Sequence, residues 1–198
     1  MMRSVDTGSV IAGNLAFKQA TLNASDAGTR AGFNALAAVA NSGAANKTIL
    51  ELNTGAACPA GATAAGCQTG TLSFPGYFPT PINHPANGIC EVRNLCTQQS
   101  EINWWTVDAN WNGAPSVTVS DPNGRNIATV SYLIHRMCQA SGAPSTTVCQ
   151  TFTQPESGCS KTQLLPCTST SVFYRITSRS VGTRNTVTYA QTLVLIAQ

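Results

Sequence analysis

Through about the first forty positions the apolar residues recur with a helical period. Val10, Ile11, Leu15, Ala16, Leu22, Phe33, Leu36, Ala37 and Ala40 approximate the 3.6-residue repeat of a one-sided helix. All ten prolines lie beyond this stretch, and Asn41-Ser42-Gly43 supplies a C-terminal stop. The pattern predicts a helix from residue 1 to about 42, in an N-terminal unit 1–44. Asn23-Ala24-Ser25-Asp26 is its weakest part, and Asp26 is placed to cap a second segment. Gly8, Gly13, Gly28 and Gly32 each cost up to ~1 kcal/mol relative to alanine, so local propensity does not account for so long a helix. Gly28-Thr29-Arg30-Ala31-Gly32 has the small-xxx-small spacing that permits close approach of another element. Glycines turned to solvent are the other reading.

Further on, the period shortens to two. Lys47 to Leu52 reads as a short strand, residues 53–102 as mostly irregular, and Ile102 to Val107 and Ser116 to Ser120 as strands. Asp121-Pro122-Asn123-Gly124 is a turn signal. It leads into Asn126 to Cys138, where Ala128, Val130, Tyr132 and Ile134 alternate with Thr129, Ser131, Leu133 and His135. Residues 139–169 form a turn-rich insert. Ser171 to Val181 alternates again, with Val172, Tyr174 and Ile176 on one side and Arg175, Thr177 and Arg179 on the other. After a turn at Gly182-Thr183, a last strand runs from Thr186 to Ala197. A lone N-terminal helix followed by an antiparallel meander is an α+β pattern. The expectation is a long helix packed on a C-terminal antiparallel sheet, with a head over 45–198 and loops at 53–102 and 139–169.

The cysteines change the picture of those loops. Cys58, Cys67, Cys90, Cys96, Cys138, Cys149, Cys159 and Cys167 fall in four close pairs, separated by 9, 6, 11 and 8 residues. Each pair encloses turn-forming residues that can bring two Cβ atoms together. The spacing predicts four local disulfides, Cys58–Cys67, Cys90–Cys96, Cys138–Cys149 and Cys159–Cys167, with exchange of partners open among the last four. Structural zinc favours two to four residues between paired cysteines, a spacing that no pair has. Disulfides persist in oxidising places such as the periplasm and cell surface, and each short staple contributes about 2–3 kcal/mol by constraining the unfolded chain.

Composition points the same way. Charged residues make up 10% of the 198, against about 25% in an average soluble protein. The surface is therefore polar but weakly charged. The longest apolar run, Ala35 to Ala40, is six residues, whereas a membrane span needs about 20. No continuous apolar segment of the signal-peptide kind is visible at the N-terminus. Net charge is −2 over residues 1–124 and +5 over residues 125–198. A strand face carrying a few solvated arginines accounts for the basic half better than a nucleic-acid site, which clusters more Lys and Arg. No nucleic-acid partner is expected.

Little in the sequence carries catalysis. The two histidines, His84 and His135, lack acidic neighbours that would make a base, and the eight acids are scattered singly. No nucleophile elbow, zinc-protease helix or phosphate loop is present, and paired cysteines leave no thiolate to attack. No enzyme activity, cofactor or metal is expected. Trp104, Trp105 and Trp111, with Asn110 and Asn112, offer a carbohydrate platform, against which stands the reading that at least two of these large rings fill the core. The sequons at Asn23 and Asn46 read as chance.

Ala12-Gly13-Asn14-Leu15-Ala16-Phe17-Lys18-Gln19-Ala20, followed by Ala24-Ser25-Asp26-Ala27-Gly28, resembles the helix that follows the membrane segment in PilX-type minor pilins of type IV pili. Tyr132-Leu133-Ile134-His135-Arg136-Met137-Cys138 and Phe173-Tyr174-Arg175-Ile176-Thr177-Ser178-Arg179, before the closing strand from Asn185, resemble the C-terminal strands of that family. The resemblance covers about a third of the chain. It implies a structural subunit that helps initiate pilus assembly or sits at the tip, anchored in the inner membrane before assembly and carried on the extracellular pilus after it. The implied leader and hydrophobic helical half are not in this sequence, so Met1-Met2-Arg3-Ser4 would be where the apolar helix emerges into the periplasm. Implied partners are other minor and major pilins and a tip adhesin. In that picture Ile11, Leu15, Leu22, Phe33, Leu36 and Ala40 contact the sheet or neighbouring subunits, with Gly28 and Gly32 allowing close packing. The alternatives are a type II secretion pseudopilin and a secreted disulfide-rich carbohydrate-binding or ligand-binding domain.

Overall fold

One unbroken 40-residue helix, α1 (Met2–Asn41), opens the chain. The computed structural model describes residues 2–41, 50–51, 74–81, 104–140, 142–155 and 168–197. The expected weakness at Asn23–Asp26 does not divide α1. Ala24 and Ser25 are buried against the sheet, and tertiary packing of this kind, more than propensity, sustains helices in proteins. The hydroxyls of Thr21 and Ser25 are satisfied within the helix, donating to the carbonyls of Phe17 or Lys18 and of Leu22 respectively.

The sheet has six strands: β1 (Tyr77–Phe78), β2 (Ser116–Ser120), β3 (Asn126–Arg136), β4 (Thr151–Pro155), β5 (Thr168–Gly182) and β6 (Val187–Ala197). The turn at Asp121–Gly124 forms as expected, with Asp121 Oδ1 accepting from the backbone N–H of Asn123 and Arg125. It joins β2 and β3 as a hairpin. β5 is the axis. Its residue Tyr174 pairs with both Arg136 and Val194, and Val172 pairs with both Thr151 and Ile196. A strand has two edges, so β3 and then β4 run along one edge of β5 while β6 lies along the other. β1 adds to the far side of β3 in parallel, and all other pairings are antiparallel.

Three expectations are corrected. Leu50 and Glu51, inside the expected strand Lys47–Leu52, are helical, held where Leu50 packs and its carbonyl accepts from Tyr77 and Arg136. The expected strand Ile102–Val107 gives way to 3-10 turns at Trp104–Thr106 and Asp108–Trp111. Asn110 donates to the Trp104 carbonyl and the Trp111 indole to that of Trp105, which occupies acceptors that a strand ladder would use. The arginines of the basic half are not simply solvated: Arg136 and Arg175 are buried.

Strand alternation sends the two sheet faces into different cores. Between α1 and the inner face, Leu36 and Ala40 of the helix pack with Leu50, Phe74, Tyr77, Tyr132, Ile134, Val172, Tyr174 and Ile176. Further toward the helix N-terminus, Ala24 packs with Ala128 and Val130. On the outer face Phe78, Trp104, Trp111 and Leu133 form a separate cluster, with Trp105, Ala114 and Tyr189 against it. Cys138 and Cys149 are disulfide-bonded, as their spacing predicts. The other three expected pairs, with Cys58, Cys67, Cys90, Cys96, Cys159 and Cys167, lie outside the described residues.

Candidate assembly surface

The helix has two environments along its length. From Gly8 to Ala20 every described residue is exposed or half-buried, and a Cβ added at Gly8 or Gly13 would meet nothing within 4 Å. From Thr21 onward one side is seated on the sheet. There Gly28 faces Val130 so closely that an added Cβ would collide with its side chain. At Gly32 such a Cβ would stand 2.9 Å from Ile176 Cγ2 and 3.1 Å from Tyr132 Cδ2. Of the expected helix positions, Gly28, Gly32, Leu36 and Ala40 are thus brought to the sheet. Ile11, Leu15, Leu22 and Phe33 are exposed, Leu15 to 64%.

These four exposed residues are not scattered. Steps of 4, 7 and 11 residues separate them, which at 3.6 residues per turn keeps them within about 40° of one another. They form a stripe; along Thr21–Phe33 it lies about a quarter-turn or more from the positions seated on the sheet, Thr21 and Gly28, while the same azimuth is buried further along, at Leu36 and Ala40. Its direction follows from the contacts. Ala24 packs toward β2 and β3, with Val117 and Val119 against its cluster. Going round the helix the other way, Thr21 shares a 2.9 Å hydroxyl contact with Thr188 of β6, and Thr29 a 3.4 Å contact with Ser178 of β5. The stripe continues past Thr29, so it overhangs the β6 side of the sheet.

Electrostatics elsewhere are structural. Arg136, in phase with Tyr132 and Ile134, turns inward and donates to the carbonyls of Leu50, Glu51 and Gly142, and to Cys149 Sγ. It binds the chain beyond α1 to the disulfide-closed turn. Burial pushes the Tyr77 hydroxyl well above its ordinary value, with the neighbouring Tyr174 and Glu51 adding to the shift and Arg136 opposing it. A protonated Tyr77 therefore donates to the Leu50 carbonyl at 2.7 Å. Burial also raises Tyr132. On the outer face Arg175 lies over Trp104 and Arg179 over Trp111, with Arg179 also paired to Asp108. The expected ligand platform falls in this layer. Trp104 and Trp111 are buried and stacked on each other, and Trp105 is half-buried, edge-on to Trp104.

Sequence reasoning placed neither Arg136 nor Tyr77 in a structural role. For Arg136 the signal was its period-two phase with Ile134. Tyr77 sits in a two-residue strand too short for any pattern. Among the described residues, no group of three His, Cys, Asp or Glu side chains is placed to hold a metal ion. Nor is any helix among them long and apolar enough to cross a membrane.

No family model, no curated protein and no solved structure matches this chain.

Proposed function

We propose that the chain is the part of a minor pilin lying outside the membrane, a non-catalytic subunit that helps to initiate a type IV pilus or occupies its tip. The observation that supports the reading is the two-part helix. Its C-terminal half is locked to a sheet by glycine-scale contacts, while its N-terminal half carries Ile11 and Leu15 away from the head with no buried side chain described before Thr21. An exposed apolar stripe is costly in water unless a neighbour covers it, and a bundle of such helices does so. The buried Cys138–Cys149 disulfide suits a head that works in an oxidising medium.

The test is piliation in cells lacking this subunit, complemented with the natural gene or with an Ile11→Lys/Leu15→Lys variant. The variant is expected to reduce surface pili at least tenfold. The purified chain should keep its melting temperature, because neither side chain is buried in the head. Wild-type piliation with the variant, or undiminished piliation in the deletion strain, would overturn the reading.

A further inference from the structure

β6 is an unusual edge. It runs eleven residues in unbroken register with β5, from Val187 opposite Val181 to Ala197 opposite Ser171. Among the described residues its other edge pairs with no strand. Edge strands are ordinarily blunted by charges, proline, bulges or a short length. Val187-Thr-Tyr-Ala-Gln-Thr-Leu-Val-Leu-Ile-Ala197 contains no charged residue and no proline, and its pairing shows no register shift. Apolar surface flanks this edge on both sides. Val187, Leu193 and Leu195 are exposed on the outer face, Leu193 to 59%. Above the inner face hangs the α1 stripe, with Leu22 beside the Thr21–Thr188 contact and Phe33 beside Gly32, which rests on Ile176 opposite Thr192.

We propose that β6 is a strand-acceptor edge, which takes an extended, uncharged, apolar segment of a different polypeptide as a seventh strand. One occupant answers three exposures together. Its backbone pairs the edge that no described strand occupies, its alternate side chains cover Leu193 and Leu195, and the others face the exposed Leu22 and Phe33. The choice of a different polypeptide rests on the pilin reading. Two copies joined through β6 about a twofold axis would point their projecting helices in opposite directions, whereas rods bundled in a filament run parallel.

The full chain is titrated with a synthetic peptide of alternating valine and threonine, nine residues long, with a lysine at each end for solubility. Hydrogen exchange is followed on β6. Binding should slow exchange at alternate β6 amides at least tenfold. Leu193→Lys and Phe33→Lys should each weaken binding at least tenfold, and Thr118→Lys on β2 should leave it unchanged. Sedimentation of the chain alone reports self-pairing. Absence of β6 protection at millimolar peptide, binding indifferent to both variants, or a dimer of the chain alone that Leu193→Lys dissolves, overturns the proposal. Because none of these measurements involves a filament, they fail or succeed independently of the piliation test.

Discussion

The two halves of α1 are built from the same material and do opposite things. Both are rich in alanine, glycine, serine and threonine, and both carry a pair of glycines and large apolar side chains. In the seated half the glycines are where the sheet comes closest, and Leu36 is fully buried. In the projecting half the glycines touch nothing and Leu15 faces outward. Residue type therefore says little about what a position of this helix contributes. The presence or absence of a sheet beneath it decides.

The sharpest contrast is between two leucines. Leu36→Ala opens a cavity in the inner core and is expected to cost about 2–5 kcal/mol. Leu15→Ala removes an exposed side chain and should stay within about 0.5 kcal/mol. Urea denaturation of both variants checks this. A comparable loss from Leu15→Ala would mean that the projecting half packs on the head in solution, and the contrast would collapse.

The glycines extend the test with opposite signs. Gly28→Ala drives a methyl into Val130 and should destabilise by about 1–3 kcal/mol. Gly13→Ala meets open space and replaces a poor helix former, so it should stabilise by up to about 1 kcal/mol. A thermal melt of each variant reads the sign directly, and a stabilising Gly28→Ala would deny the close seat.

These contrasts also mark how far the sequence was legible. The helix, the hairpin turn, strands β2, β3, β5 and β6 and the Cys138–Cys149 link all follow from period, turn chemistry and spacing. Each of those signals is local. What stayed hidden depends on a second layer. Arg175 and Thr177 alternate onto what reads as a solvated face, but residues 104–111 cover that face with tryptophans, and alternation cannot tell water from another layer. The strand expected at Ile102–Val107 failed because β-favouring aromatics are also what a covering turn needs. In the helix, Ile11, Leu15, Leu22, Phe33, Leu36 and Ala40 shared one apolar list. Only the position of the sheet along the helix divides them, burying Leu36 and Ala40 and leaving the other four open.

The seated half ends at a polar clasp whose behaviour depends on pH. Tyr77→Phe removes the bond to the Leu50 carbonyl and is expected to cost about 1 kcal/mol near neutrality. Both Tyr77 and Tyr132 have hydroxyl pKa values raised above the ordinary 10.0. The unfolded chain thus releases these protons at lower pH than the folded one. Their stabilising contribution is complete below pH 10 and is lost as pH rises through the higher folded values. Melting temperature should fall above pH 10, and less steeply in the Tyr77→Phe variant. An unchanged alkaline slope in that variant would remove Tyr77 from the account.

The smallest expected effect lies at the boundary between the halves, at Thr21. Its proton goes to the carbonyl of Phe17 or Lys18, so its oxygen accepts from Thr188. Its methyl fills the space above Gly182, where an added Cβ would collide with it. Two causes could fix the point at which the helix leaves the sheet: the hydroxyl pair or the fit of the methyl. Thr21→Val keeps the branched shape and loses the hydroxyl, and Thr188→Val does the same across the contact. A double-mutant cycle should give a coupling of about 0.5 kcal/mol, at the low end for a hydrogen bond because water reaches the site. A coupling several times larger would make the hydroxyl pair the anchor. The small value expected assigns that role to shape, the same cause that seats Gly28 and Gly32 about two and three turns further along.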